Sequence, residues 1–86
     1  MMPTKKMIGK IEHYYPHISV AVITLTDSLK VGEKILIERT EHSFEQVVSS
    51  MQVEHKNISV AKKGDSIGLK VDQPTKEGAK VYKIVG

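Results

Sequence analysis

Two segments of this chain pass through a glycine turn and run straight into a strand-like pattern. They are Leu29-Lys30-Val31-Gly32-Glu33-Lys34-Ile35-Leu36-Ile37 and Ala61-Lys62-Lys63-Gly64-Asp65-Ser66-Ile67-Gly68-Leu69-Lys70-Val71. Apolar and polar residues that alternate with period two between turn signals mark half-buried strands. No stretch longer than about a turn carries helical periodicity. An 86-residue chain built of short strands must manage its sheet edges, and closing the sheet removes them. The expectation is one all-β domain.

Met7–Tyr15 reads as the first strand, ended by Pro16, which removes a ladder donor and restricts Tyr15. Ile18–Leu25 reads as the second from its β-branched content, although its apolar residues fall on both parities. Thr26-Asp27-Ser28 is a turn. Glu33–Arg39 forms the third strand with Ile35 and Ile37 on one face, and Thr40–Ser43 is a loop. Phe44–Glu54 is the fourth, with Val47, Met51 and Val53 on one face and Gln46, Ser50, Gln52 and Glu54 on the other. Val48 breaks that pattern and marks a β-bulge. Lys56–Lys63 is a connector anchored by Ile58 and Val60. The fifth strand presents Ile67, Leu69 and Val71, with Gly68 at a close backbone approach. After the Gln73–Gly78 loop, Ala79–Val85 closes the fold with Val81, Ile84 and Val85 in the core. Residues 1–6 read as a flexible tail on a single domain spanning 1–86.

With no cysteine, neither a disulfide framework nor a thiolate metal site is available, which fits a reducing cytoplasm. The longest apolar run, Val20-Ala21-Val22-Ile23, is far short of the about 20 residues that span a bilayer. No apolar stretch of signal-peptide length follows Lys5 and Lys6. The expected location is cytoplasmic, without membrane contact. The chain lacks Gly-x-x-x-x-Gly-Lys-Ser/Thr and Asn-Lys-x-Asp, so no GTP binding is expected. Net charge is +3. Lys5, Lys6 and Lys10 lie in an acid-free start, and Lys62, Lys63 and Lys70 face Asp65 alone within residues 61–70. This distribution permits a polyanionic partner without demanding one.

In order and spacing, three of these pieces resemble the second domain of translational GTPases such as elongation factor Tu. They are Lys30-Val31-Gly32-Glu33, Gly64-Asp65-Ser66-Ile67-Gly68-Leu69, and Glu77-Gly78-Ala79-Lys80-Val81, and the similarity covers roughly residues 7–85. The glycine-arginine pair usual in that family's second strand is replaced by Val22-Ile23. The Tyr14-Tyr15-Pro16-His17 segment looks closer to stand-alone elongation factor-like proteins. The chain is also similar to the accessory barrel at the end of collagenase-like peptidase-family proteins. The resemblance implies a six-stranded closed antiparallel Greek-key barrel of the translation-factor domain 2 type. It implies an RNA-related role by analogy only, since fold does not fix function.

The densest patch of unusual side chains is His13-Tyr14-Tyr15-Pro16-His17. On a strand, Tyr14 and Tyr15 point to opposite faces. One reading is a base-stacking platform, with Lys10, His13 and His17 near phosphates; the other is that both rings close the barrel end. Lys56, Lys62 and Lys63 flank the connector, where lysines give phosphate affinity without reading sequence, or decorate a solvated turn. The resemblance implies that Gln52, Glu54, His55 and Lys56 line a surface toward the tRNA acceptor end. His13 and His17 share a parity but lack a third ligand, so no metal site is expected. No Gly-x-Ser-x-Gly elbow exists, Glu12 and Glu54 read as solvated, and neither cofactor nor catalysis is expected. Two functions follow: non-catalytic binding of structured RNA (tRNA or ribosomal RNA), or a protein-interaction barrel docking on a separately encoded enzyme or ribosome-associated partner. An exposed apolar patch including Tyr14 or Tyr15 favours the second; a contiguous lysine face favours the first.

Overall fold

The computed structural model describes residues 4–40 and 42–85. Its strands are β1 (Thr4–Tyr15), β2 (Val20–Leu25), β3 (Leu29–Lys30), β4 (Lys34–Glu38), β5 (Ser43–Val47), β6 (Met51–Val53), β7 (Lys56–Ile58), β8 (Val60–Ala61), β9 (Ser66–Lys70) and β10 (Lys80–Val85). No helix occurs among the described residues. All pairings are antiparallel, in the order β5-β4-β10-β1-β2-β9-β6-β7, with β3 and β8 forming a separate ribbon. The expected six strands correspond to β1, β2, β4, β5 with β6, β9 and β10. The added β3, β7 and β8 are two- and three-residue pieces too short to carry a pattern.

The continuous ladder runs from β5 to β7. β5 at one end of the sheet and β6 near the other are separated in sequence only by Val48, Ser49 and Ser50. The sheet therefore curls until its ends nearly meet. At this seam the ladder is replaced by individual bonds. Val48 N donates to Glu33 O (2.9 Å), Gly32 N to Val48 O (2.8 Å), and Lys70 N to Ser50 O (3.2 Å). The Gln46 side chain, 5% exposed, bridges β5 to the end of β9: Nε2 donates to Lys70 O (2.9 Å) and Oε1 accepts from Asp72 N (2.8 Å).

The phase of the fourth expected strand changes at the same place. Phe44, Gln46 and Val48 point inward, then Met51, so one extra residue separates the two inward sets. A bulge does fall here. It places Val47 outside, 54% exposed, and Gln46 inside, the reverse of the faces expected from sequence. In β1, the register shift at Ile8 allows Ile8 and Ile11, three apart, both to reach the core, and the shift at Glu12 brings Tyr14, three further on, to the same side. Ala21, Ile23 and Leu25 are the buried parity of β2, while Val20 and Val22 face outward. Ile18 lies in the turn before β2 and is 57% exposed.

Thr4–Lys6, expected to be tail, begin β1 opposite Val85, Ile84 and Lys83; residues 1–3 lie outside the described residues. Lys6 Nζ is 2.7 Å from Asp27 Oδ2, and this bond holds the Asp27 carboxyl below the ordinary carboxylate range. At the other end, Val81 is buried, but Ile84 is half-buried and Val85 exposed. Because β10 lies between β4 and β1, the parity of Tyr82 and Ile84 faces the outside of the sheet; Val85 shares the parity of Val81 but lies past the last residue of β10 paired with β4.

Candidate interaction surfaces

A groove of about 490 Å³ crosses the outer face of β2, β9 and β6. Its floor follows from the register: Val22 pairs with Gly68, and Gly68 with Gln52. Without a side chain at Gly68 the sheet is depressed there, and Val20 and Val22 give the depression an apolar base. Gly68 is also the expected close approach in mild form, since an added Cβ would lie 3.2 Å from Val20 Cγ1. Tyr15 and Ile18 form one wall; Glu54 and His55, in the turn between β6 and β7, form the other.

The tyrosine wall is braced. Tyr15 packs edge-on against His13 with centroids 4.3 Å apart, and His13 Nδ1 is 3.1 Å from Glu77 Oε1. Tyr14 takes the opposite side and packs against the core, half-buried. The adjacent tyrosines thus split as strand geometry requires.

The opposite wall is strained. Val53 pairs with Lys56, leaving Glu54-His55 as a two-residue hairpin loop in which both residues have positive φ (50° and 66°). Such a loop favours Asn-Gly, and a left-handed conformation costs an ordinary residue roughly 1–2 kcal/mol. Glu-His carries no turn signal, so the sequence pattern runs the expected fourth strand through Glu54. Replacing the pair by Asn-Gly is expected to stabilise the domain by about 1–2 kcal/mol, read as a higher urea midpoint at unchanged slope. No gain would show that the strain is relieved by contacts of Glu54 and His55 themselves.

Of the residues singled out from sequence, Tyr15, Gln52, Glu54 and His55 converge on this groove, with His13 behind Tyr15. Lys10 does not, because it pairs with Thr24 and Lys80 further along β1. His17 is exposed in the Pro16–Ser19 turn and Lys56 is exposed on β7. Lys62 and Lys63 sit in the turn whose Gly64 N bonds Leu25 O. That is the far end of β2, five residues or roughly 17 Å of strand from Val20. Aromatic platform and connector lysines therefore do not form one surface, and no lysine or arginine among the described residues lines the groove.

A second feature had no sequence signal. The outer parities of β1, β10, β4 and β5 align Met7 opposite Tyr82, Tyr82 opposite Leu36, and Leu36 opposite Glu45. Ile84 lies beside Tyr82 on the same face, opposite Lys5. Around this apolar row, Lys5 bonds Glu38 (3.0 Å) while lying 4.5 Å from the Tyr82 ring centroid, and Lys34 bonds Glu45 (2.9 Å). A polar cleft of about 600 Å³ also lies between Glu38–Thr40 with His42 and Ser43 on one side and Lys76–Lys80 on the other, lined by Arg39, His42, Lys76 and Lys80 among others. No cluster of three or more His, Cys, Asp or Glu suited to a metal ion occurs among the described residues. No helix among them is long and apolar enough to cross a membrane.

Two crystal structures of the C-terminal domain of a Geobacillus thermoleovorans protein assigned as a U32 peptidase, one a selenomethionine variant, superpose with TM-scores of 0.84 and 0.83. Identity is 18% in both, over 91% and 88% of this chain and 91% and 96% of theirs. The chain therefore shares the fold of that C-terminal domain. In sequence it is 43% identical over 76 residues to an uncharacterized protease of Methanocaldococcus jannaschii, a match taking 87% of this chain and 19% of the protease. The chain thus spans about a fifth of that relative's length. No family model matches. These relatives support the expected likeness to the peptidase-associated barrel and lend no support to the stand-alone elongation-factor reading.

Proposed function

We propose that this chain is a non-catalytic accessory module that docks on the catalytic body of a U32-type protease-family protein, whether on the same polypeptide or a separate one. What carries the reading is the outer face of β1, β10, β4 and β5. Met7, Tyr82, Leu36 and Ile84 form an apolar centre with an aromatic anchor, and the charges around it already have partners within the domain. An apolar, aromatic centre inside a polar rim is the anatomy of a protein interface. The comparisons are in keeping with it, because the matched segment is a fifth of a larger protease.

The test mixes this chain with the M. jannaschii protease from which the matched segment has been deleted, and measures the complex by sedimentation. A one-to-one complex is expected. Leu36→Glu, which places a charge at the centre of the patch, is expected to weaken it at least about 100-fold, the scale of losing a central hot spot. If the unaltered chain and the deleted protease sediment independently, the reading fails.

One observation keeps an RNA reading in view. Lys10 stands directly opposite Lys80, and Lys80 lines the polar cleft with Lys76 and Arg39. Like charges directly opposed across a ladder are unfavourable unless an anion joins them. Binding to bulk tRNA that falls with salt and is lost in Lys10→Ala/Lys80→Ala would support a phosphate contact there; salt-independent or absent binding would discard it.

A further inference from the structure

We propose that the groove between Tyr15 and the Glu54-His55 turn binds an extended peptide segment carrying a lysine or arginine. This site is distinct from the docking face proposed above and does not depend on that reading. The apolar floor of Val20 and Val22, open at Gly68, accepts an aliphatic stem, and the Tyr15 ring forms its side. Long basic side chains bury their stems on such surfaces while the charged head stays polar. The head is received at Glu54. Among the described residues it has no ion pair, and it is the one carboxylate lining the groove, which no described lysine or arginine lines. The nearest lysine in the sheet register, Lys70 opposite Val20, is turned to the Ile18 carbonyl at 3.0 Å.

Two further features mark the groove as built. The Glu77–His13–Tyr15 chain of contacts fixes the aromatic wall before any ligand arrives, which lowers the ordering cost of binding. The carboxylate is held by a turn that its own residue types disfavour, and strain of this kind clusters at ligand clamps. The same charge pattern argues against nucleic acid, because Glu54 opposes a phosphate and no lysine or arginine among the described residues lines the groove.

The experiment is an NMR titration of the isotope-labelled full chain with two capped peptides, Gly-Leu-Lys-Gly and Gly-Leu-Glu-Gly. The lysine peptide is expected to shift the amides of Val20, Val22, Gln52 and Gly68, and the glutamate peptide to bind at least about fivefold more weakly. Glu54→Gln is expected to weaken the lysine peptide about three- to tenfold. His13→Ala, which frees the Tyr15 ring without removing a groove wall, is expected to weaken both peptides equally. The same spectra report whether each variant is folded. The proposal is overturned by equal affinity for the two peptides, by no effect of Glu54→Gln, or by shifts mapping elsewhere. It is also overturned if Glu54→Gln abolishes docking to the protease body, because the groove would then be the docking face. Failure of Leu36→Glu to affect docking would count only against the outer face.

Discussion

Gln46→Leu is expected to destabilise the domain by about 2–5 kcal/mol. The side chain satisfies two backbone groups at the seam, Lys70 O and Asp72 N, in a position that is 5% exposed. Leucine has a similar volume but leaves both groups without a partner, and each unsatisfied buried group costs about 1–3 kcal/mol. A domain of this size has a total stability of roughly 4–13 kcal/mol, so one substitution consumes a large part of it. Gln46→Glu is expected to be worse near neutral pH. It keeps an acceptor for Asp72 N, turns the donor facing Lys70 O into a second acceptor, and buries a charge. Urea unfolding measures both. A loss below 1 kcal/mol for Gln46→Leu would mean that water reaches the seam.

Gln46 also shows what the sequence could and could not disclose. The alternation of Ile35 with Ile37 and of Ile67 with Leu69 reads correctly because each strand buries one parity throughout. The pattern at Val48 announces a bulge, but periodicity cannot say on which side of it the phase is right. The faces of Gln46 and Val47 were exchanged for that reason. A glutamine is an unlikely core residue until the two backbone groups it serves are known. Hydrophobicity does not separate a core face from an outer face, and it is the position of β10 between β4 and β1 that turns the parity of Ile84 outward, while Val85, on the parity of Val81, lies beyond the pairing with β4. At the groove, Tyr15 and His55 were visible as unusual residues. Their convergence needs the β2-β9-β6 register, and the turn conformation of Glu54-His55 runs against its residue types, so neither was legible.

The second large effect is expected at Gly9, which the sequence does not single out. A Cβ added there would lie 2.7 Å from both Ile23 Cγ2 and the Thr24 carbonyl oxygen. Glycine to alanine in an unstrained strand normally stabilises by about 0.4–1 kcal/mol through the unfolded chain, so the contact decides the sign. The isoleucine methyl can be trimmed, but the carbonyl belongs to β2, held between Lys10 and Ser66. Gly9→Ala is therefore expected to cost about 2–3 kcal/mol as an overpacked site, and Ile23→Ala is not expected to rescue it. The displaced strand is β1, which carries Met7 to the outer face and Tyr15 to the groove. Gly9→Ala should accordingly weaken both protease docking and peptide binding, whereas Leu36→Glu weakens only the first and Glu54→Gln only the second. A Gly9→Ala protein with wild-type stability and both affinities intact would mean that β1 and β2 can separate at this point without cost.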